Sequence, residues 1–233
     1  YLIYFMIKAI IFDIDNTLLD FMTMKSNAIS AAVDGMKKNG LDIDKEIAIK
    51  KIFDIYNSKG YEHQEVLNEF IVDTVGHIDY KMLAAGIVEY KIAKESSLSL
   101  YPGVKDTLIA LSNFGLKLGI LSDAPSREAW IRLYILKIHK IFHEVVTFND
   151  TGFHKPAREP FIKITELLNV NYKDCLMVGD WPERDIKGAK QFGMKTAYAK
   201  YGSTEFIESS GADYELDTIH ELIEIVKNEN NIL

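Results

Sequence analysis

One cysteine is all this chain contains, which excludes an intramolecular disulfide framework and fits a reducing compartment. That residue, Cys175, lies in the apolar run Cys175-Leu176-Met177-Val178 and reads as a buried strand position rather than a reactive thiol. Positive charge is also scarce. Lys and Arg number 27 against 34 Asp and Glu, for a net charge of −7, and no basic cluster is long enough to line a nucleic-acid groove. This balance argues against a polyanion-binding surface, while one or two local cations still suffice for a small anion. Nor is there a long apolar run. The stretch from Tyr1 to Phe12 is broken by Lys8 and stops at Asp13, short of the ~20 residues that a membrane-spanning helix needs. It does not end in a small-residue cleavage site. Met6 is a candidate natural start, with residues 1–5 as an upstream extension. The expectation is a soluble, cytoplasmic protein that binds neither nucleic acid nor membrane. Low-complexity segments and internal repeats are missing as well.

What is present is a regular alternation. At 233 residues the chain is long enough for one large core, or for a core with an inserted lobe. Short apolar runs at Ile7–Phe12, Leu116–Leu121, Val145–Phe148, Cys175–Gly179 and Thr196–Ala199 have the character of strands buried on both faces. Helical patterns over Val104–Asn113, Arg127–Ile138, Glu159–Leu168 and Asp185–Phe192 separate the later runs, and Gly115 and Gly193 stand where left-handed C-caps are expected. Strands alternating with helices predict an α/β fold with a Rossmann-like parallel sheet. Residues 21–97 break the rhythm. Ile29, Val33 and Met36, then Ile49, Ile52, Phe53 and Tyr56, and further sets up to Tyr90 fall on helical faces without a strand run. The expected division is therefore a core of residues 1–20 and 98–233 with a helical lobe of residues 21–97, and Tyr101-Pro102-Gly103 marks the return to the core.

Chemistry concentrates at the carboxyl ends of the apolar runs. In extended backbone, positions i and i+2 point to the same side, so Asp13 and Asp15 aim together off the end of the first strand. Two carboxylates about 4 Å apart repel by ~1 kcal/mol in water and ~4 kcal/mol at a protein rim. A cation, a shared proton or a chemical task must offset that cost, and the pair reads as a nucleophile and a proton donor beside a bound metal. Three more clusters follow three more runs: Ser122-Asp123, then Lys155-Pro156, then Asp180 with Asp185. Taken singly, an Asp or Ser after a strand is more often a helix cap, and Lys155 a solvated lysine. Capping does not explain four clusters at one edge, which is where open α/β sheets bind their ligands.

The segment Asp13-Ile14-Asp15-Asn16-Thr17, then Ser122, Lys155-Pro156, and Gly179-Asp180 with Asp185 resemble, in order, the four motifs of the haloacid dehalogenase-like (HAD) hydrolases. The lobe falls where that family's first cap class is inserted. The resemblance implies a Mg²⁺-dependent phosphatase acting on a small phosphorylated metabolite. Asp13 would attack phosphorus and form an aspartyl-phosphate. Asp15 would protonate the leaving oxygen and then deprotonate the attacking water. Magnesium would be held by Asp13, the backbone carbonyl of Asp15 and Asp180. Ser122, Asp123 and Lys155 would contact the phosphate, with Thr17 and Asp185 supporting from behind.

Asp123 and Arg184 stand where relatives often carry Asn. The metal-free dehalogenase branch lacks the second aspartate of the first motif, so Asp15 argues against it. A phosphomutase of the same superfamily fits the same residues. A receiver-like phosphoaspartate signalling module is the alternative of a different class, although it needs no helical insertion. Tyr56, Lys59, Tyr61 and Tyr90 are the cleft candidates within the lobe, against the alternative that aromatic residues at helical spacing form a core. Nothing in the residues sets the oligomeric state, a homodimer included.

Overall fold

A computed structural model describes residues 6–203 and 207–232. The extension ahead of Met6 lies outside the described residues. The chain divides into two compact units, Tyr1–Asp20 with Ser99–Leu233, and Phe21–Leu98.

In chain order the elements are β1 (Ala9–Phe12), α1 (Phe21–Lys37), α2 (Lys45–Lys59), α3 (Val66–Val75), α4 (Tyr80–Ser97), α5 (Val104–Asn113), β2 (Lys117–Leu121), α6 (Ser126–Ile135), β3 (Glu144–Val146), α7 (Phe148–Thr151), α8 (Arg158–Leu168), β4 (Cys175–Gly179), α9 (Lys187–Lys190), β5 (Lys195–Ala199), β6 (Tyr214–Leu216) and α10 (Glu221–Asn230). The strands form one parallel sheet in the order β3-β2-β1-β4-β5-β6. This is the α/β, Rossmann-like arrangement that the alternating pattern predicts. The sequence Ala-Ile-Ile-Phe of β1 is buried throughout, as a central strand covered on both faces must be. Successive strands after β1 build outward on one side and those from β4 onward on the other. The order therefore reverses at β1/β4, which is the crevice where such sheets bind ligands.

Several expected boundaries move: the first strand begins at Ala9 rather than Ile7, and α6 ends at Ile135 rather than Ile138. Phe148 does not extend β3 but opens α7, because the Thr147 and Asp150 side chains exchange hydrogen bonds with each other's backbone as a capping box. The helix expected from Asp185 is preceded by a π-helical turn, Pro182–Ile186, and continues only as far as Lys190. Strand β6, three residues long, and helix α10 are not among the elements expected from the sequence. Gly115 and Gly193 do adopt positive φ, 79° and 72°, after their helices.

In the second unit, Asp44 and Asp79 cap α2 and α4 by accepting backbone N–H groups of the first turn. Its apolar faces meet in one cluster that includes Ile29, Val33, Met36, Ile52, Phe70 and Leu83. Tyr56 belongs to that cluster, and the ammonium of Lys25 lies 3.9 Å from the centre of its ring. Tyr61 stacks on Tyr56, and Lys59 pairs with Glu69. For Tyr56 the core alternative is the one that applies. Among the described residues, no helix is long and apolar enough to cross a membrane.

Candidate active site

The register of the sheet aligns the site. Phe12 lies opposite Ile120 on β2 and Val178 on β4, so the residues that follow these three leave the sheet at one level. Asp13 is tied there by its N–H to the carbonyl of Val178 at 2.9 Å. The chain then turns through Asn16, whose φ of 59° is a left-handed value that asparagine tolerates better than most residues.

Lys155 organises the centre. Only 4% exposed, it extends from the loop between α7 and α8 and donates from Nζ to Asp13 Oδ1 at 2.6 Å, Asp185 Oδ1 at 2.7 Å and the Leu121 carbonyl at 3.0 Å. Three acceptors for three ammonium hydrogens satisfy the group completely. Burial alone would push its proton off, but the charges of Asp13, Asp185 and Asp123 outweigh that and hold Lys155 above its ordinary value. Asp13 responds differently. Burial pushes its carboxyl up to about 7, the ammonium of Lys155 opposes this, and the charges of Asp185 and Asp15 add to it. Asp180 is likewise raised, by burial and then by the charges of Asp13 and Asp185. One cation among three carboxylates leaves the site short of positive charge.

Asp13, Asp180 and Asp185 each offer one oxygen, and these atoms lie within 4.8 Å of one another. Asp185 thus joins the cluster itself rather than standing only behind it. Its Oδ1 faces Lys155 and its Oδ2 accepts the Trp181 N–H at 3.1 Å. The side chain of Asp15 turns elsewhere, to Arg132 on α6, with Nη1 to Oδ2 at 2.6 Å. Thr17, fully buried, donates to Asp180 Oδ1 at 3.4 Å. The Ser122 hydroxyl oxygen accepts the Ala124 N–H at 3.1 Å, which leaves its own hydrogen to donate. Asp123 corrects an expectation. Its carboxylate accepts from the Lys155 N–H at 2.8 Å and from Arg184 at 3.0 Å. It therefore fixes the backbone of Lys155, and as an anion it is no side-chain ligand for a phosphate. His154 stacks on Phe148 beside the site.

Two glycines let these parts approach. A Cβ on Gly202 would fall 1.5 Å from the Asn16 carbonyl oxygen, so the loop after β5 packs directly on the turn that carries Asp15. Tyr201 adds a hydrogen bond from its hydroxyl to the Thr17 carbonyl at 2.7 Å. A Cβ on Gly179 would lie 2.2 Å from Asp185 Oδ2. Gly179→Ala is accordingly expected to push Asp185 off Lys155 and lower kcat/KM by about 10- to 100-fold, the usual scale for a lost supporting contact. Kinetics alongside a melting curve check this. An unchanged kcat/KM would mean that Asp185 has no part in the reaction.

The residues missed from sequence are Arg132, Tyr201 and Gly202. None belongs to a motif, and each acts through folding that brings distant segments together.

The carboxyl edge of the parallel sheet thus carries a lysine-bridged carboxylate cluster at its switch point, where open α/β sheets bind their ligands. The sequence profile of the haloacid dehalogenase-like hydrolases matches residues 10–199. A glyceraldehyde 3-phosphate phosphatase of Methanocaldococcus jannaschii is 34% identical, covering 96% of this chain and 98% of its own. A second, from Pyrococcus abyssi, is 33% identical over 97% of this chain and 96% of its own. Among solved structures, a HAD phosphatase of Thermococcus onnurineus superposes with a TM-score of 0.70 at 26% identity, covering 94% of this chain and 97% of its own. The chain belongs to the haloacid dehalogenase-like hydrolase family, on its phosphatase branch.

Proposed function

We propose that this protein is a Mg²⁺-dependent phosphatase of a small phosphorylated metabolite, working through an aspartyl-phosphate on Asp13. Glyceraldehyde 3-phosphate is the first candidate substrate, because relatives spanning nearly the whole chain carry that activity in their names. The observation that carries the mechanism is the bridge Asp13–Lys155–Asp185, with Asp180 beside it. Lys155 holds Asp13 in one rotamer with Oδ1 engaged, so Oδ2 is the oxygen presented to phosphorus. The ammonium also offsets charge on the incoming phosphoryl group, and the Ser122 hydroxyl donates to it. As the Asp13–phosphorus bond forms and the ester bond breaks, Asp15 gives its proton to the leaving oxygen. It then takes one from the water that releases phosphate from Asp13.

The donor set fits magnesium: hard oxygen ligands only, in a cluster with excess negative charge. Asp13, Asp180 and Asp185 would hold the ion, which supplies charge stabilisation for the transferring phosphoryl group. No residue named in this chemistry comes from 21–97, and we assign to that lobe the choice among phosphate esters.

Protons compete with the cation for these carboxylates. Asp13 shifts from 3.8 to about 7, and Asp180 moves the same way. An acid raised in the folded state binds its proton more tightly there, so the native state loses relative stability as pH rises through that window. Above it the ionised cluster is left for a cation to relieve. Magnesium is expected to raise the melting temperature clearly at pH 8 and little at pH 5.5. Purified protein should release phosphate from a metabolite panel that includes glyceraldehyde 3-phosphate, and exhaustive chelation should stop it. Full-rate turnover after chelation would overturn the metal assignment, and no turnover of any ester would overturn the phosphatase reading.

A further inference from the structure

Helix α6 is turned against its own polarity. Trp130, Ile131, Tyr134 and Ile135 are exposed, while Glu128 and Arg132 are buried with Ala129 and Leu133 on the inward face. An amphipathic helix left to the hydrophobic effect would turn the other way. What the inward face gains is a charged contact with the first motif. Arg132, its side chain 2% exposed, reaches across from α6 to place Nη1 2.6 Å from Asp15 Oδ2. A guanidinium has only donors and stays charged, so the oxygen it holds is always an acceptor.

We propose that Arg132 is the positioning residue of the acid/base Asp15, fixing its rotamer and directing proton transfer through Oδ1. This inference rests on the role given to Asp15 under the proposed function. In the first step the Asp13–phosphorus bond forms, the ester P–O bond breaks, and the proton on Asp15 Oδ1 passes to the departing oxygen. In the second, water oxygen bonds to phosphorus, the Asp13–phosphorus bond breaks, and the water proton goes to the same Oδ1. Arg132 exchanges no proton in either step. Its work is to keep Oδ1, rather than Oδ2, turned to the ester.

A positioning role of this kind depends on the leaving group, which a merely structural role does not. An aryl ester such as p-nitrophenyl phosphate departs with little help from an acid, whereas glycerol phosphate needs the proton. The magnesium-loaded Arg132→Met variant is expected to lose about 100-fold in kcat/KM on glycerol phosphate, within the usual contribution of a positioned acid. On the aryl ester it should lose only a few-fold, with the alkyl loss residing in kcat rather than KM. Arg132→Lys, which can still donate to Oδ2, should recover part of the alkyl activity. In an Asp15→Asn background, adding Arg132→Met should cost nothing further, because the group that Arg132 acts through is gone. Equal losses on both esters, or losses that multiply in the double variant, would overturn the proposal. If Arg132→Met gives no cooperative melt, the same comparisons made with Arg132→Lys decide in the same way. Near-normal activity of Asp15→Asn itself would contradict the role of Asp15, and so the proposed function rather than the positioning role alone.

Discussion

Asp13→Asn is expected to abolish phosphate release while leaving the fold intact. The amide is nearly isosteric with the carboxylate but cannot attack phosphorus, and losing a nucleophile costs roughly 10⁴-fold or more in turnover. Stability should behave differently from activity. At pH 8 the wild-type carboxylate lies above its raised pKa of about 7 and faces the charges of Asp185 and Asp15. The asparagine removes that repulsion while Lys155 keeps its contacts to Asp185 and the Leu121 carbonyl. Metal-free Asp13→Asn should therefore melt at or above the temperature of metal-free wild type at this pH. Steady-state kinetics and a melting curve on the same preparation check both halves. Turnover near the wild-type level would show that another group attacks phosphorus.

The second large effect is expected at Lys155. Lys155→Met fills similar space but leaves Asp13 and Asp185 buried, 8% and 1% exposed, without their shared cation. Breaking a buried pair from one side costs about 3–5 kcal/mol, which for a chain of this size corresponds to a fall of about 10 °C in melting temperature. Activity should drop by about 10³-fold, since a charged donor is lost from both the nucleophile and the phosphoryl group. Magnesium should restore part of the stability, because it brings positive charge to the same carboxylates, but it should not restore activity. Lys155→Arg should rescue poorly, since a planar guanidinium cannot place three donors where one ammonium does. A variant as stable as wild type without metal would mean that Lys155 does not hold the carboxylates in place.

Most of the core was legible because its strands are buried on both faces. Such strands write themselves as short, almost wholly apolar runs, and each run ends where its cluster of polar residues begins. Parallel connectivity then forces those ends to one edge, so Asp13, Ser122, Lys155 and Asp180 could be placed together without coordinates. The parts that could not be read are those where a tertiary contact overrides the local pattern. Arg132 belongs to no motif and sits on a helix that carries Trp130 and Tyr134, yet it faces inward, where it pairs with Asp15. Asp123 looked like a phosphate ligand by its position after Ser122, yet both its oxygens are taken by Lys155 and Arg184. Asp185 was read as a support, and the π-helical turn at Pro182–Ile186 brings it into the carboxylate cluster. Tyr56 and Tyr61 share their spacing with cleft residues, but α2 buries Tyr56 in the interior of its own unit.

The most direct measurement is the chemical state of Asp13 during turnover. Magnesium-loaded protein mixed with excess substrate and quenched in acid within the first turnovers should yield one peptide heavier by a single phosphoryl group, the peptide containing Asp13. That mass should be missing from Asp13→Asn treated in the same way and should decay once substrate is exhausted. If phosphate is released at full rate while the Asp13 peptide stays unmodified at every quench time, or if the added mass lies on another residue, the covalent mechanism assigned to this site is wrong.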